Sequence, residues 1–213
     1  MFQVFHDSRA GGHADNEDAF AVGPHPQDPG CLLCVVADGQ GGRAGGGLAA
    51  RTACRATIEA AGRRPPAELL RPVVWAALLG GVDKAVARNP GAGFTTLVAL
   101  CIGGGLLVGA SSGDSAAVVV QGEEPAAVLT RHQFKNPPVG SGEALFLGFG
   151  CPLNSPWSVL ALTDGVWKYA GWDRVLAAAR LPGPEVLDTL REQAALPGSG
   201  QLPDDFTLVV IRE

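Results

Sequence analysis

Cys31-Leu-Leu-Cys-Val-Val-Ala-Asp-Gly39 decides how this chain is read: seven apolar residues run without interruption into an acidic residue and a glycine. Opened by Gly30 and closed by Asp38-Gly39, the run reads as a buried strand that stops at a carboxylate. The pattern recurs. Leu160-Ala-Leu-Thr163 runs into Asp164-Gly165, and Asp204-Asp205 precedes the apolar run Phe206 to Ile211. Three strongly apolar strands therefore each carry a carboxylate at one end. Carboxylates at the edge of a core lose hydration and repel one another, and bound divalent cations relieve both costs. Hard ions such as Mg²⁺ or Mn²⁺ prefer oxygen ligands. A glycine after the aspartate lets the backbone turn tightly and leaves its carbonyl accessible. One Asp-Gly pair alone reads as a turn; two at strand ends, with a third acidic strand end, point to a metal site.

Working outward, Phe2 to His6 alternates as a short strand, and a Gly-rich loop leads to Asp15-Asn-Glu-Asp-Ala-Phe20. Helical spacing of apolar residues spans Gly45 to Ala61 and again Glu68 to Arg88, with Pro65-Pro66 between. In the second helix Leu69, Val73, Ala76, Ala77 and Leu79 share one side. Strands are expected at Phe94 to Ile102, Leu106 to Ser111, Ala116 to Gln121 and Ala126 to Leu129, with Gly103-Gly104-Gly105 as a hairpin turn. Arg131 to Glu143 reads as a connection, Leu145 to Leu147 as a short strand, and Ser158 to Thr163 as a stronger one. Two short helices, Trp172 to Ala179 and Pro184 to Ala194, come before the last strand. Strands crowd the middle and helices come in pairs, so the expected fold is α+β: two antiparallel sheets in a β-sandwich with helices outside, one domain over residues 1–213.

The chain has 213 residues, 46% hydrophobic and only 17% charged, which suits a compact globular protein and excludes a disordered one. A net charge of −5 supplies no cationic surface for nucleic acid. Met1 to Phe20 lacks the basic start and apolar run of a signal peptide, and no stretch is apolar enough to span a bilayer. Five scattered cysteines fit a reducing cytoplasm, and the Cys31–Cys34 spacing falls inside the buried strand, as core filling rather than a zinc or redox site. The Ala-, Gly- and Arg-rich composition suggests a bacterial source.

Six stretches in chain order resemble the motifs of the metal-dependent protein phosphatases of the phosphatase 2C type. They are Asn16-Glu17-Asp18, Val36-Ala-Asp-Gly-Gln-Gly-Gly42, Gly93-Phe-Thr-Thr-Leu-Val98, Gly113-Asp-Ser115, Leu162-Thr-Asp-Gly165 and Asp204-Asp-Phe-Thr207. The resemblance implies layers in the order helix, sheet, sheet, helix and a binuclear Mg²⁺ or Mn²⁺ centre. By it, Asp38 bridges two ions, the Gly39 carbonyl joins the second, and Asp164 and Asp204 complete the first. Glu17 would hold the second ion through water, Asp18 would orient that water, and Asp114 would share a third, weaker site with Asp164. Asp205 is a neighbour, not a ligand. The implied reaction is hydrolysis of phosphoserine or phosphothreonine on a protein by metal-activated water, with no covalent phosphoenzyme, and the implied biological counterpart is a Ser/Thr kinase.

The chain departs from the family in three places. His13 stands where the family has a phosphate-gripping arginine; it reads equally as a phosphate ligand or a loop histidine, and Arg9 or Arg43 could supply the charge, Arg43 first. Ala116 replaces an arginine after Gly113-Asp-Ser115, and the stretch from Leu129 to Leu145, where the family carries a flap, is short. His132 is given no role. Two other functions stay open: a phosphatase-like binding or regulatory module without catalysis, and a phosphomonoesterase for small metabolites.

Overall fold

The computed structural model describes residues 1–12, 15–41 and 44–213. Along the chain lie β1 (Gln3–Arg9), β2 (Ala19–His25), β3 (Asp28–Ala37), α1 (Gly46–Gly62), α2 (Pro66–Leu69), α3 (Pro72–Ala87), β4 (Leu97–Gly103), β5 (Leu106–Ser112), β6 (Ala116–Gln121) and β7 (Ala127–Val128). After them come β8 (Leu147–Pro152), β9 (Trp157–Leu162), α4 (Asp164–Ala170), α5 (Trp172–Ala178), α6 (Gly183–Ala194) and β10 (Phe206–Arg212). One sheet has the order β1-β10-β9-β6-β7 and the other β2-β3-β4-β5-β8. Their pairings are antiparallel throughout.

An antiparallel sheet often keeps one face wet and then alternates apolar with polar residues. Here the central strands are apolar at every position because both faces are covered. On β3, Leu33, Val35 and Ala37 pack under α1 and α3, while Leu32, Cys34 and Val36 face the other sheet. On β10, Phe206, Leu208 and Val210 pack under α4, α5 and α6, while Val209 and Ile211 meet residues of the sheet that holds β3 and β4. Three apolar layers thus separate four layers of secondary structure, the α+β sandwich expected from the order of strands and helices.

Several boundaries differ from the expectation. The helix expected from Glu68 to Arg88 is two helices, because Pro72 starts α3 and Arg71 before it is extended. The buried stripe of α3 is Trp75, Leu78, Leu79, Val82 and Val86, and Val73 is exposed. β2 was not expected as a strand; it pairs with β3 from Ala19↔Ala37 onward. The strand placed at Leu145 to Leu147 lies further on, as β8. Its glycines hide the signal, yet Phe149 caps β5 so closely that a Cβ on Gly109 would sit 2.7 Å from the ring. β4 begins at Leu97 rather than Phe94, and Thr95 instead bridges Gly39 and Val139. The β4–β5 turn is as expected, with Gly104 and Gly105 both at positive φ.

Candidate metal centre

Each carboxylate of the site is aimed by the end of an element. β3 delivers Asp38, whose N–H donates to Thr96 Oγ1 at 2.9 Å and whose carbonyl accepts from Thr96 N–H at 2.8 Å and Thr95 Oγ1 at 2.8 Å. Asp114 stands in the β5–β6 turn, its carbonyl accepting from Trp167 Nε1 at 3.0 Å. Asp164 opens α4, directly after β9, and Asp204 stands just before β10. The Asp-Gly pairs have a steric cause. A Cβ on Gly39 would lie 2.4 Å from the Gly46 backbone, and one on Gly165 would lie 1.9 Å from the Asp205 carbonyl oxygen.

These ends converge. Asp38, Asp114 and Asp164 each offer an oxygen, and the three lie within 4.8 Å of one another. They line a cleft of about 480 Å³ with Glu17, Gly39, Asp204 and Asp205. A more open groove of about 1150 Å³ runs past Arg9, Arg174 and Arg191, but among the described residues it has no converging carboxylates, so the smaller cleft is the candidate site.

The neighbours are arranged as a support. Asp205 accepts from the N–H groups of Gly11 at 2.8 Å and Glu17 at 2.6 Å, so it pins the loop that carries Glu17. Asp18 is buried beneath the cleft; its Oδ2 accepts from Thr163 Oγ1 at 2.9 Å, and Thr163 Oγ1 in turn accepts from Thr207 N–H at 3.1 Å. The other oxygen, Asp18 Oδ1, is buried and has no hydrogen bond within normal distance among the described residues.

Crowding shows in the acidities. Burial, then the charges of Asp18 and Asp164, pushes Asp38 up to about 10. Burial also raises Asp18 to about 7, against the pull of hydrogen bonds from Thr207 and Thr163. Asp164 is raised too, first by burial and then by Asp114, while Lys168 opposes the rise. Asp38 and Asp164 crowd one another, which disfavours ionising both at once. Carboxylates that must protonate to coexist form a site short of positive charge. An all-oxygen donor set, three of whose oxygens lie within 4.8 Å, above an orphaned buried oxygen fits a pair of hard divalent cations.

Of the expected residues, Glu17, Asp38, Gly39, Asp114, Asp164 and Asp204 meet at this cleft, and Asp18 lies beneath it. Arg9 does not: it bonds both oxygens of Asp7 at 2.9 Å and faces the larger groove. His13 and Arg43 lie outside the described residues. Two lysines went unnoticed in the sequence. Lys168 Nζ stands 3.5 Å from Asp164 Oδ2 and 3.7 Å from Asp204 Oδ2, and Lys135 Nζ stands 2.8 Å from Asp114 Oδ2. Lys168 follows Asp164 by four positions, one helical turn, and placing α4 correctly would have exposed it. Lys135 sits in a loop, where spacing carries no such signal.

The fold and the acidic cleft define a class, the α+β sandwiches with carboxylates gathered at strand ends. Residues 7–137 match the family described as Protein phosphatase 2C, and the chain belongs to that family of protein phosphatases. No curated protein matches it in sequence. Solved structures share the fold. The catalytic domain of serine threonine protein phosphatase PstP in complex with two manganese ions is 22% identical, with a TM-score of 0.80 over 99% of this chain and 97% of that one. PstP/Ppp of Mycobacterium tuberculosis is 21% identical, TM-score 0.81, over 99% and 98%. Stp1 of Staphylococcus aureus is 17% identical, TM-score 0.81, over 100% and 95%.

Proposed function

We propose that the chain hydrolyses phosphoserine and phosphothreonine on proteins at a centre holding two Mg²⁺ or Mn²⁺ ions. The observation that carries this reading is the convergence of Asp38, Asp114 and Asp164 oxygens within 4.8 Å, in one cleft with Asp204 and Glu17. Bound there, the ions would supply an activated water at neutral pH and offset charge on the phosphoryl oxygens.

The chain's own residues set the geometry. Asp38 would serve both ions, with the Gly39 carbonyl beside it; Asp164 and Asp204 would help to hold one ion and Glu17 would approach the other. Asp18, held by Thr163, would accept a proton or hydrogen bond from water beneath the ions through its free Oδ1. None of the five cysteines is needed as a nucleophile: Cys31, Cys34, Cys54 and Cys101 are buried. A protein phosphatase of this kind would counter a Ser/Thr kinase, and a phosphorylated protein is its partner.

The test is Mn²⁺-dependent release of phosphate from a phosphothreonine peptide and from an aryl phosphate. Asp38→Asn and Asp204→Asn should each lower kcat/KM by about a hundredfold or more. A folded wild type inactive on both substrates would favour the regulatory module. Fast turnover of small esters with none of the peptide would favour a metabolite phosphatase.

A further inference from the structure

We propose that a recess beside the acidic cleft binds an apolar side chain of the substrate, on a residue flanking the phosphorylated serine or threonine. The inference rests on the phosphatase reading above and names what the chain selects in a protein substrate beyond the phosphate.

The recess has a volume of about 250 Å³ and shares Gly113, Asp114 and Lys135 with the cleft, so the two adjoin. Where the cleft is lined by carboxylates, the recess is lined by Ala116, Val128, Trp167, Trp172 and Leu176. Ala116 is buried at the start of β6, and the other four are half-buried at the margin of the core beneath α4, α5 and α6. The Trp167 and Trp172 rings stack with centroids 5.1 Å apart and planes 14° from parallel. Trp167 Nε1 donates to the Asp114 carbonyl at 3.0 Å, which fastens this aromatic wall to the turn that carries a cleft carboxylate. The loop after β7 is tied down as well. Gly113 N–H donates to the Phe134 carbonyl at 2.7 Å, and Gln133 Nε2 donates to the Ser115 carbonyl at 2.6 Å. The recess is therefore formed before any peptide arrives, which lowers the ordering cost of binding.

Size and lining choose the occupant. Sites for whole small molecules usually take about 300 to 1,000 Å³, so this recess suits a single side chain. Its apolar lining favours leucine or phenylalanine over a polar residue. Arg131 and Lys135, both exposed, stand at the same recess and suit the negative charge of a phosphopeptide. With the phosphate held in the cleft, a neighbouring side chain is tethered beside the recess, so the second contact adds little further entropy loss.

The test is kcat/KM of the Mn²⁺-loaded enzyme on phosphothreonine peptides that carry alanine, leucine, phenylalanine or glutamate at each flanking position in turn. At one position leucine or phenylalanine should exceed alanine by about tenfold, because a partly open recess captures only part of a side chain's transfer energy. Leu176→Glu, at a half-buried position, and Ala116→Met, which fills the recess from beneath, should each abolish that preference, with circular dichroism confirming that both are folded. An undiminished preference in both variants, or an equal loss on alanine and leucine peptides, would overturn the inference. So would a wild type with no preference at any position, or one that prefers glutamate to leucine. These outcomes leave the metal centre standing, since the peptides are still cleaved. No Mn²⁺-dependent release of phosphate from any peptide would overturn both readings.

Discussion

At the scale of single residues, Asp18 and Asp38 make the stability of the cleft depend on pH. Burial raises their pKa values to about 7 and about 10, against about 4 in an unfolded chain. An acid whose pKa rises on folding holds its proton more tightly when folded. Its favourable contribution is complete below the unfolded value and is lost as pH climbs toward the folded one. The metal-free protein should therefore be less stable at pH 8 than at pH 5, and Mn²⁺ should recover the difference at pH 8. Thermal unfolding at the two pH values, with and without Mn²⁺, reads this directly, and greater metal-free stability at pH 8 would contradict it. The aspartates were legible in the sequence because a carboxylate ending an apolar run is costly unless something binds it. The lysines were not, since a lone lysine in a polar stretch resembles any solvated surface residue.

Elements carry the next level of control, and the stretch between β7 and β8 shows how. Asp83 of α3, 1% exposed, accepts from the N–H groups of Gly140 at 2.6 Å, Gly142 at 3.2 Å and Ala144 at 3.0 Å. One buried carboxylate thus does for this loop what a strand partner does for a ladder. It holds Val139 where its carbonyl accepts from Thr95 N–H at 3.0 Å, and Thr95 in turn braces Asp38. Asp83→Ala should cost about 3 kcal/mol of stability, measured by urea unfolding, because three N–H groups lose a charged acceptor. A loss under about 1 kcal/mol would show that water replaces the carboxylate at no cost. The sequence marked this stretch as a connection but gave Asp83 no part in it, since an acid inside a helical pattern looks like a solvent-facing position. Similarly α4 was not expected, because Asp164-Gly165 reads as the close of a strand and helical spacing resumes only at Trp172. The glycine there answers the approach of the Asp205 backbone and does not end an element.

Across the whole molecule, the sandwich followed from the order of elements, with strands crowding the middle and helices coming in pairs. Strand order could not be reached in that way. β1 joins β10 at the edge of one sheet, Val4 against Ile211, and nothing in local composition announces a pairing between the two ends of the chain. That long-range pairing is what sets Asp204 and the Glu17 loop on the same side as Asp38, since Asp205 ties the loops before β2 and before β10 together. The most direct measurement of the central claim is anomalous scattering at the manganese edge from crystals grown with Mn²⁺. The account predicts two strong peaks in the cleft, both within coordination distance of Asp38, with Asp164 and Asp204 on one of them. An empty cleft, or manganese bound only elsewhere on the molecule, would contradict it.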